Sequence, residues 1–210
     1  MSHMPLGRPA IRSEAGGTWT GRARVRGCDV VADLYLDRVE IERRRRFEPP
    51  RLGGLDLLNL LLRMPLWRPR HRREFSSYEW ALLLKSGGAV TFEGHGTVTR
   101  HAVPPIDPIL ITLTGRSWRV ALDHASRFAP YSSRRVVLDR LPTDDTELRL
   151  EAAYRGIGVA VVEEPGAAGI ESDLIEVVAC APFAAERYTG ASWKMAEDLF
   201  VQTGLLDSAD

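Results

Sequence analysis

A chain of 210 residues, 44% of them hydrophobic and 27% charged, can bury a core as one large domain or two small ones. Its formal net charge of zero hides an asymmetry. Residues 1–75 hold 16 arginines against 9 acidic residues, a net +7, and the remainder holds 12 basic against 19 acidic residues, a net −7. A basic N-terminal part favours nucleic acid or an acidic protein surface. A compositional cause competes with that reading: the only lysines are Lys85 and Lys194, and arginine with many alanines and glycines fits GC-rich bacterial coding. The longest apolar run, Leu55 to Leu62, is broken by Asp56 and Asn59 and is too short to span a membrane. There is no secretory pattern, and Cys28 and Cys180 stand apart from any second cysteine or histidine. The expectation is a cytoplasmic protein with reduced thiols, no cofactor and no membrane association.

Met1-Ser2-His3-Met4 reads as a vector scar, and residues 1–17 as a flexible start. Thr18 to Arg26 alternates as a strand, with Arg22, Arg24 and Arg26 on one face. A turn at Gly27-Cys28-Asp29 leads to a second strand through Leu36. Val39 and Ile41 shift the phase, which a bulge or tight turn would explain, and the strand reading sends Arg43 to Arg46 to opposite faces. After Pro49-Pro50 and Gly53-Gly54 comes a leucine-rich helix, Leu55 to Arg63. Arg63 to Arg73 then reads as an irregular basic linker broken by Pro65 and Pro69. Its Trp67 lies among Arg68, Arg70, Arg72 and Arg73, an interleaving that suits stacking on unpaired bases and pairing with phosphates. A linker whose Trp is tucked against the body is the competing reading.

Ser76 and Glu79 form a capping-box pattern opening a helix that stops at Gly87-Gly88. Strands at Ala89–Glu93 and Thr97–Val103 flank a Gly94-His95-Gly96 turn. Pro108 to Thr114 is a buried strand, and Ser117 caps a helix with Trp118, Ala121, Leu122, Ala125 and Phe128 on one face. A strand at Arg134–Leu141, a helix with acidic residues at its start (Asp144, Asp145, Glu147) and its end at Gly156, and strands at Gly158–Glu163 and Leu174–Ala181 follow. Ser192 caps a last helix whose face carries Trp193, Ala196, Leu199 and Phe200. The faces of Leu55–Leu62 and Trp193–Phe200 are apolar enough to predict a homo-oligomer with these helices as seams.

From Ser76 to Phe183 the order α-β-β-β-α-β-α-β-β resembles the restriction-endonuclease-like, PD-(D/E)xK nuclease superfamily. The likeness is carried by ILITLTGRSWRVALDHASRFAPYSSRRVVLD and LRLEAAYRGIGVAVVE. It implies an α/β chain, α+β overall, with a three-layer restriction-endonuclease-like sandwich preceded by a small antiparallel β domain. The expected parts are a basic β-rich region at 18–75, the nuclease-like domain at 76–183 and a C-terminal amphipathic helix at 184–210. Family members carry Glu-x-Lys where this chain has Thr112-Leu113-Thr114, and the upstream aspartate falls near His101. Threonine cannot hold the divalent cation such chemistry needs. The implication is a pseudoenzyme: a non-catalytic binding or assembly protein whose partner is DNA or another protein. Its nucleic-acid residues would be Arg22, Arg24, Arg26, Trp67, Arg68, Arg70, Arg72 and Arg73. Two alternatives stand beside it. One is a metal-dependent nuclease with a relocated site drawn from Glu79, Glu93, His95, His101 and Asp107. The other is a pleckstrin-like adaptor, with residues 18–128 forming a closed antiparallel barrel.

Overall fold

A computed structural model describes residues 17–47, 51–162, 174–183 and 188–204. The expected flexible start, Pro49-Pro50 and the loop after Glu163 fall outside these residues. The chain has an α+β fold with a mixed six-stranded sheet of β1 (Gly17–Val25), β2 (Cys28–Leu36), β6 (Ile106–Gly115), β7 (Ser133–Leu138), β8 (Gly158–Val162) and β9 (Leu174–Val178), in that order, and a three-stranded sheet of β3 (Pro69–His71), β5 (Thr97–Arg100) and β4 (Val90–Glu93), in that order. It divides into two interleaved units. Unit 1 comprises residues 1–17, 35–107 and 186–210, and unit 2 comprises residues 18–34 and 108–185. The division therefore runs differently from the boundaries expected at 75/76 and 183/184, because the first hairpin pairs into the large sheet.

In unit 2, β1 (Gly17–Val25) and β2 (Cys28–Leu36) are joined by Arg26 and Gly27 at φ 52° and 77°. Two successive left-handed residues are what a type I′ hairpin needs. Arg26 therefore sits in the turn, not on the strand face with Arg22 and Arg24, and the turn falls one residue earlier than Gly27-Cys28-Asp29. The strands β6 (Ile106–Gly115), β7 (Ser133–Leu138) and β8 (Gly158–Val162) are parallel, and β9 (Leu174–Val178) closes the sheet antiparallel. The sheet ends at β1 and β9 and its centre is parallel, so it is not a closed antiparallel barrel. Its crossovers are α4 (Trp118–Ser126) and α5 (Thr146–Arg155). They pack on each other and on the strands, since successive right-handed crossovers in one direction place both helices on one face. Leu113, Val136 and Val159 form one buried row across β6, β7 and β8. Ala121, Leu122 and Ala125 of α4 and Phe128 just after it are buried as their spacing predicts; Trp118, expected on the same face, is half-buried, and Ser117 stands at the N-cap without a side-chain capping bond. Gly115 is demanded by packing: a Cβ there would come 2.8 Å from that of Ala121.

In unit 1, the expected phase slip at Asp37 is the start of a helix, α1 (Arg38–Arg45). The Asp37 side chain accepts from the Glu40 N–H at 2.9 Å, an N-cap. Arg43 to Arg45 are therefore helical and Arg46 is the C-cap. The remaining elements are α2 (Leu55–Arg63), β3 (Pro69–His71), a 3₁₀ turn at Arg72–Glu74, α3 (Ser77–Leu84), β4 (Val90–Glu93), β5 (Thr97–Arg100) and α6 (Gly190–Gln202). Thr189 caps α6, accepting from the Ser192 N–H at 3.1 Å, so Ser192 lies inside the first turn. Helices α2 and α6 pack together. Leu57, Leu58, Leu60, Leu61, Trp193, Ala196, Leu199 and Phe200 are all buried. Most of the two faces expected as oligomer seams is thus buried inside unit 1, while Leu55 stays exposed.

The centre of unit 1 is ionic. Arg44 and Glu197 are 2% and 0% exposed. Arg44 donates through Nη1 to Glu197 at 2.7 Å, through Nε to Glu40 at 2.6 Å and through Nη2 to the Val103 carbonyl at 2.9 Å. Burial works against its charge, but Glu197 and then Glu40 outweigh it and raise its pKa. Among the described residues, no helix is long and apolar enough to cross a membrane.

Candidate nucleic-acid interface

The basic stretch after α2 is more ordered than a linker. Its middle forms β3, an exposed edge strand registered with β5 as Pro69↔Thr99, Arg70↔Val98 and His71↔Thr97. A 3₁₀ turn follows, in which His71 Nδ1 accepts from the Arg73 N–H at 3.2 Å and the Glu74 carboxylate accepts from the His71 N–H at 2.8 Å.

Trp67 opens this stretch with two costs on one residue. Its φ is 60°, a left-handed conformation that costs an L-residue about 1–2 kcal/mol. Its side chain is 60% exposed, forgoing much of the ~1.5–3 kcal/mol that burying a large apolar side chain returns. Its N–H donates to the Arg100 carbonyl at 3.0 Å. Its ring meets His101 with centroids 4.7 Å apart and planes tilted 57°. Burial first, and then the Arg43 charge, push the His101 imidazole below its ordinary pKa. The shift favours the neutral ring, which serves Trp67 as an aromatic wall.

The arginines of this region separate into two groups. Arg63 pairs with Glu79 and Arg70 with Glu74. Arg72 donates to the Phe75 carbonyl at 2.9 Å and lies 4.9 Å over the Trp80 ring. The guanidinium groups of Arg68 and Arg73 are exposed and have no partner among the described residues. Of the eight nucleic-acid residues expected from sequence, Trp67, Arg68 and Arg73 form the uncommitted set in unit 1. Arg22, Arg24 and Arg26 belong to unit 2. There Arg24 faces Asp29 at 3.9 Å. Arg26 donates to the Tyr131 hydroxyl at 3.3 Å and lies over its ring at 5.4 Å. Sequence reasoning missed His101 as the partner of Trp67, because thirty-odd residues, with β3, α3, β4 and β5 among them, separate the two.

The residues of the relocated metal site are engaged elsewhere. Glu79 accepts from the Ser76 N–H at 2.8 Å, completing the capping box, and pairs with Arg63. Glu93 accepts from the Thr99 hydroxyl at 2.9 Å. His101 packs at a tilt against Trp67, Asp107 has a partner of its own, and the His95 side chain lies outside the described residues. No group of three His, Cys, Asp or Glu that could hold a metal ion occurs among the described residues. The strands before His101, where the resemblance puts the upstream aspartate, are β4 and β5, and they lie in the three-stranded sheet. The strand next to β6 is β2, carrying Asp29 and Asp33. Thr112 is buried in one row with Arg135 and Gly158, on the face turned away from α4.

The capping box carries a pH prediction. The Ser76 backbone N–H first, and then the Arg63 guanidinium, lower the Glu79 pKa from 4.5 to about 2. A carboxylate depressed on folding contributes stability that is complete above its unfolded pKa and lost as pH falls through the folded one. The gap in melting temperature between wild type and Glu79→Gln should be widest above pH 4.5 and close as pH falls to about 2. Thermal melts across that range check this; a gap constant with pH counts against the ionised cap.

Comparison of the chain with protein-family models, with curated proteins and with solved structures gives no match.

Proposed function

We propose that this is a non-catalytic binding protein that holds nucleic acid by its phosphate backbone through the Trp67–Arg73 segment of unit 1. The observation that carries the reading is the pair of uncommitted guanidinium groups, Arg68 and Arg73, set on either side of an exposed edge strand beside an exposed Trp67. Arginines without acidic partners on an ordered frame release counterions when they meet phosphates, giving affinity that depends on salt and little on sequence. In this reading unit 2 is a nuclease-like scaffold with threonines at the Glu-x-Lys positions. The parallel β6–α4–β7 crossover and the mixed sheet support that resemblance.

Titration of the whole chain into labelled DNA at rising salt tests the proposal. Binding should fall steeply with salt. The double variant Arg68→Ala/Arg73→Ala should bind more weakly, with a slope flatter by roughly one unit per lost phosphate contact. Arg70→Ala and Arg72→Ala should act mainly on stability, because those side chains serve Glu74, Phe75 and Trp80. No binding at low salt overturns the proposal.

A further inference from the structure

Resting on that reading, we infer that the ligand is single-stranded and that an unpaired base stacks on the Trp67 ring. Phosphate contacts need only arginines. They do not explain why a tryptophan is held out in solvent on a left-handed backbone with its N–H tied to the Arg100 carbonyl at 3.0 Å. Strain of this kind persists only where the surroundings enforce it, and it gathers at binding and switch sites. His101, at 4.7 Å and 57°, braces the ring while leaving it 60% exposed. The result is a fixed aromatic plate with an uncommitted guanidinium on the next residue, Arg68. That pairing matches the two chemistries of a nucleotide in a single strand, an exposed π-face and a phosphate. A duplex hides its base faces in the stack and offers the plate nothing. An acidic protein surface would satisfy the arginines but leaves the ring without a reason to be exposed. The plate recognises any base, so sequence preference should be slight.

The backbone provides a clean variant. Glycine adopts positive φ without strain, so Trp67→Gly removes the plate while relieving the conformation, and its melting temperature should equal or exceed that of wild type. Trp67→Phe keeps a smaller plate. The probes are labelled oligothymidine, an abasic oligonucleotide of equal length and a duplex, each titrated into the full-length protein at low salt with fluorescence anisotropy as the readout. Oligothymidine should bind roughly tenfold or more tightly than the abasic strand, the range expected for a base stacked on an aromatic ring. Trp67→Gly should erase that difference without loss of stability, and Trp67→Phe should restore part of it. Equal binding of all three probes, unchanged by Trp67→Gly, overturns the base-stacking inference and leaves phosphate binding standing. Failure of all three probes to bind overturns both.

Discussion

Glu197→Ala should destabilise unit 1 by about 3–5 kcal/mol, the scale for breaking a buried ion pair by removing one partner. The side chain is fully buried, and its oxygens serve three donors: Arg44 Nη1 at 2.7 Å, Trp193 Nε1 at 2.9 Å and the Leu52 N–H at 3.2 Å. With it, two arginines face two glutamates and the cluster is neutral. Without it, Arg43 and Arg44 share Glu40 alone, which Arg43 already grips through Nε and Nη2 at 2.7 Å each. Urea unfolding followed by tryptophan fluorescence measures the loss. The double variant Arg44→Met/Glu197→Leu should lose less than Glu197→Ala, because it leaves no uncompensated charge. Glu40 then remains neutralised by Arg43, and the groups left unpaired are neutral: the Trp193 and Leu52 donors and the Val103 carbonyl, at roughly 1–3 kcal/mol each. A double variant worse than the single would show that the cluster is not organised around the Arg44 charge.

This cluster also explains where the sequence could be read and where it could not. The α4 face was legible because Ala121, Leu122, Ala125 and Phe128 are apolar, recur at helical spacing and are all buried. The helix α1 was not, because its buried residues are Glu40, Ile41 and Arg44 while Val39 is 63% exposed. A helix that buries its charges inverts the apolar periodicity by which helices are recognised. The alternation of β1 and β2 showed two strands, but nothing local in them names a partner. Residues 37–105 intervene before β6, and pairing across such a gap is fixed by the whole core. The candidate site was legible as a composition, one Trp among arginines. Which arginines are spent depends on Glu74, Glu79 and Trp80, and whether the Trp is tucked or held out depends on a backbone angle and a carbonyl on another strand.

That carbonyl belongs to Arg100, and Arg100→Met should cost both stability and binding. The Arg100 guanidinium is buried and donates to the carbonyls of Leu61 at 2.6 Å, Met64 at 3.1 Å and Ala102 at 2.8 Å, with the Trp193 ring 5.1 Å away. Burial lowers its pKa to about 10, so it keeps its charge at pH 7. The positive group sits at the last turn of α2, where unpaired carbonyls and the negative end of the helix dipole favour a cation. The same residue thus holds both ends of the segment from Met64 to Trp67: its side chain takes the Met64 carbonyl and its backbone carbonyl takes the Trp67 N–H. Methionine of similar length removes three bonds from a charged donor and leaves the Met64 and Ala102 carbonyls without it, while Leu61 keeps the Met64 N–H; the expected loss is about 3–5 kcal/mol when each bond to a charged group contributes ~1.5–3 and the site relaxes in part. Arg100→Lys should fall between, since a single ammonium cannot span three acceptors set for a planar fork. Binding of oligothymidine, measured well below the melting temperature of each variant, separates the two roles. If Arg100 positions the Trp67 plate, affinity should drop in Arg100→Met while the chain is still folded, and Arg44→Met/Glu197→Leu, of comparable stability, should bind as wild type does. A destabilised Arg100→Met that binds with full affinity would confine Arg100 to closing the end of α2.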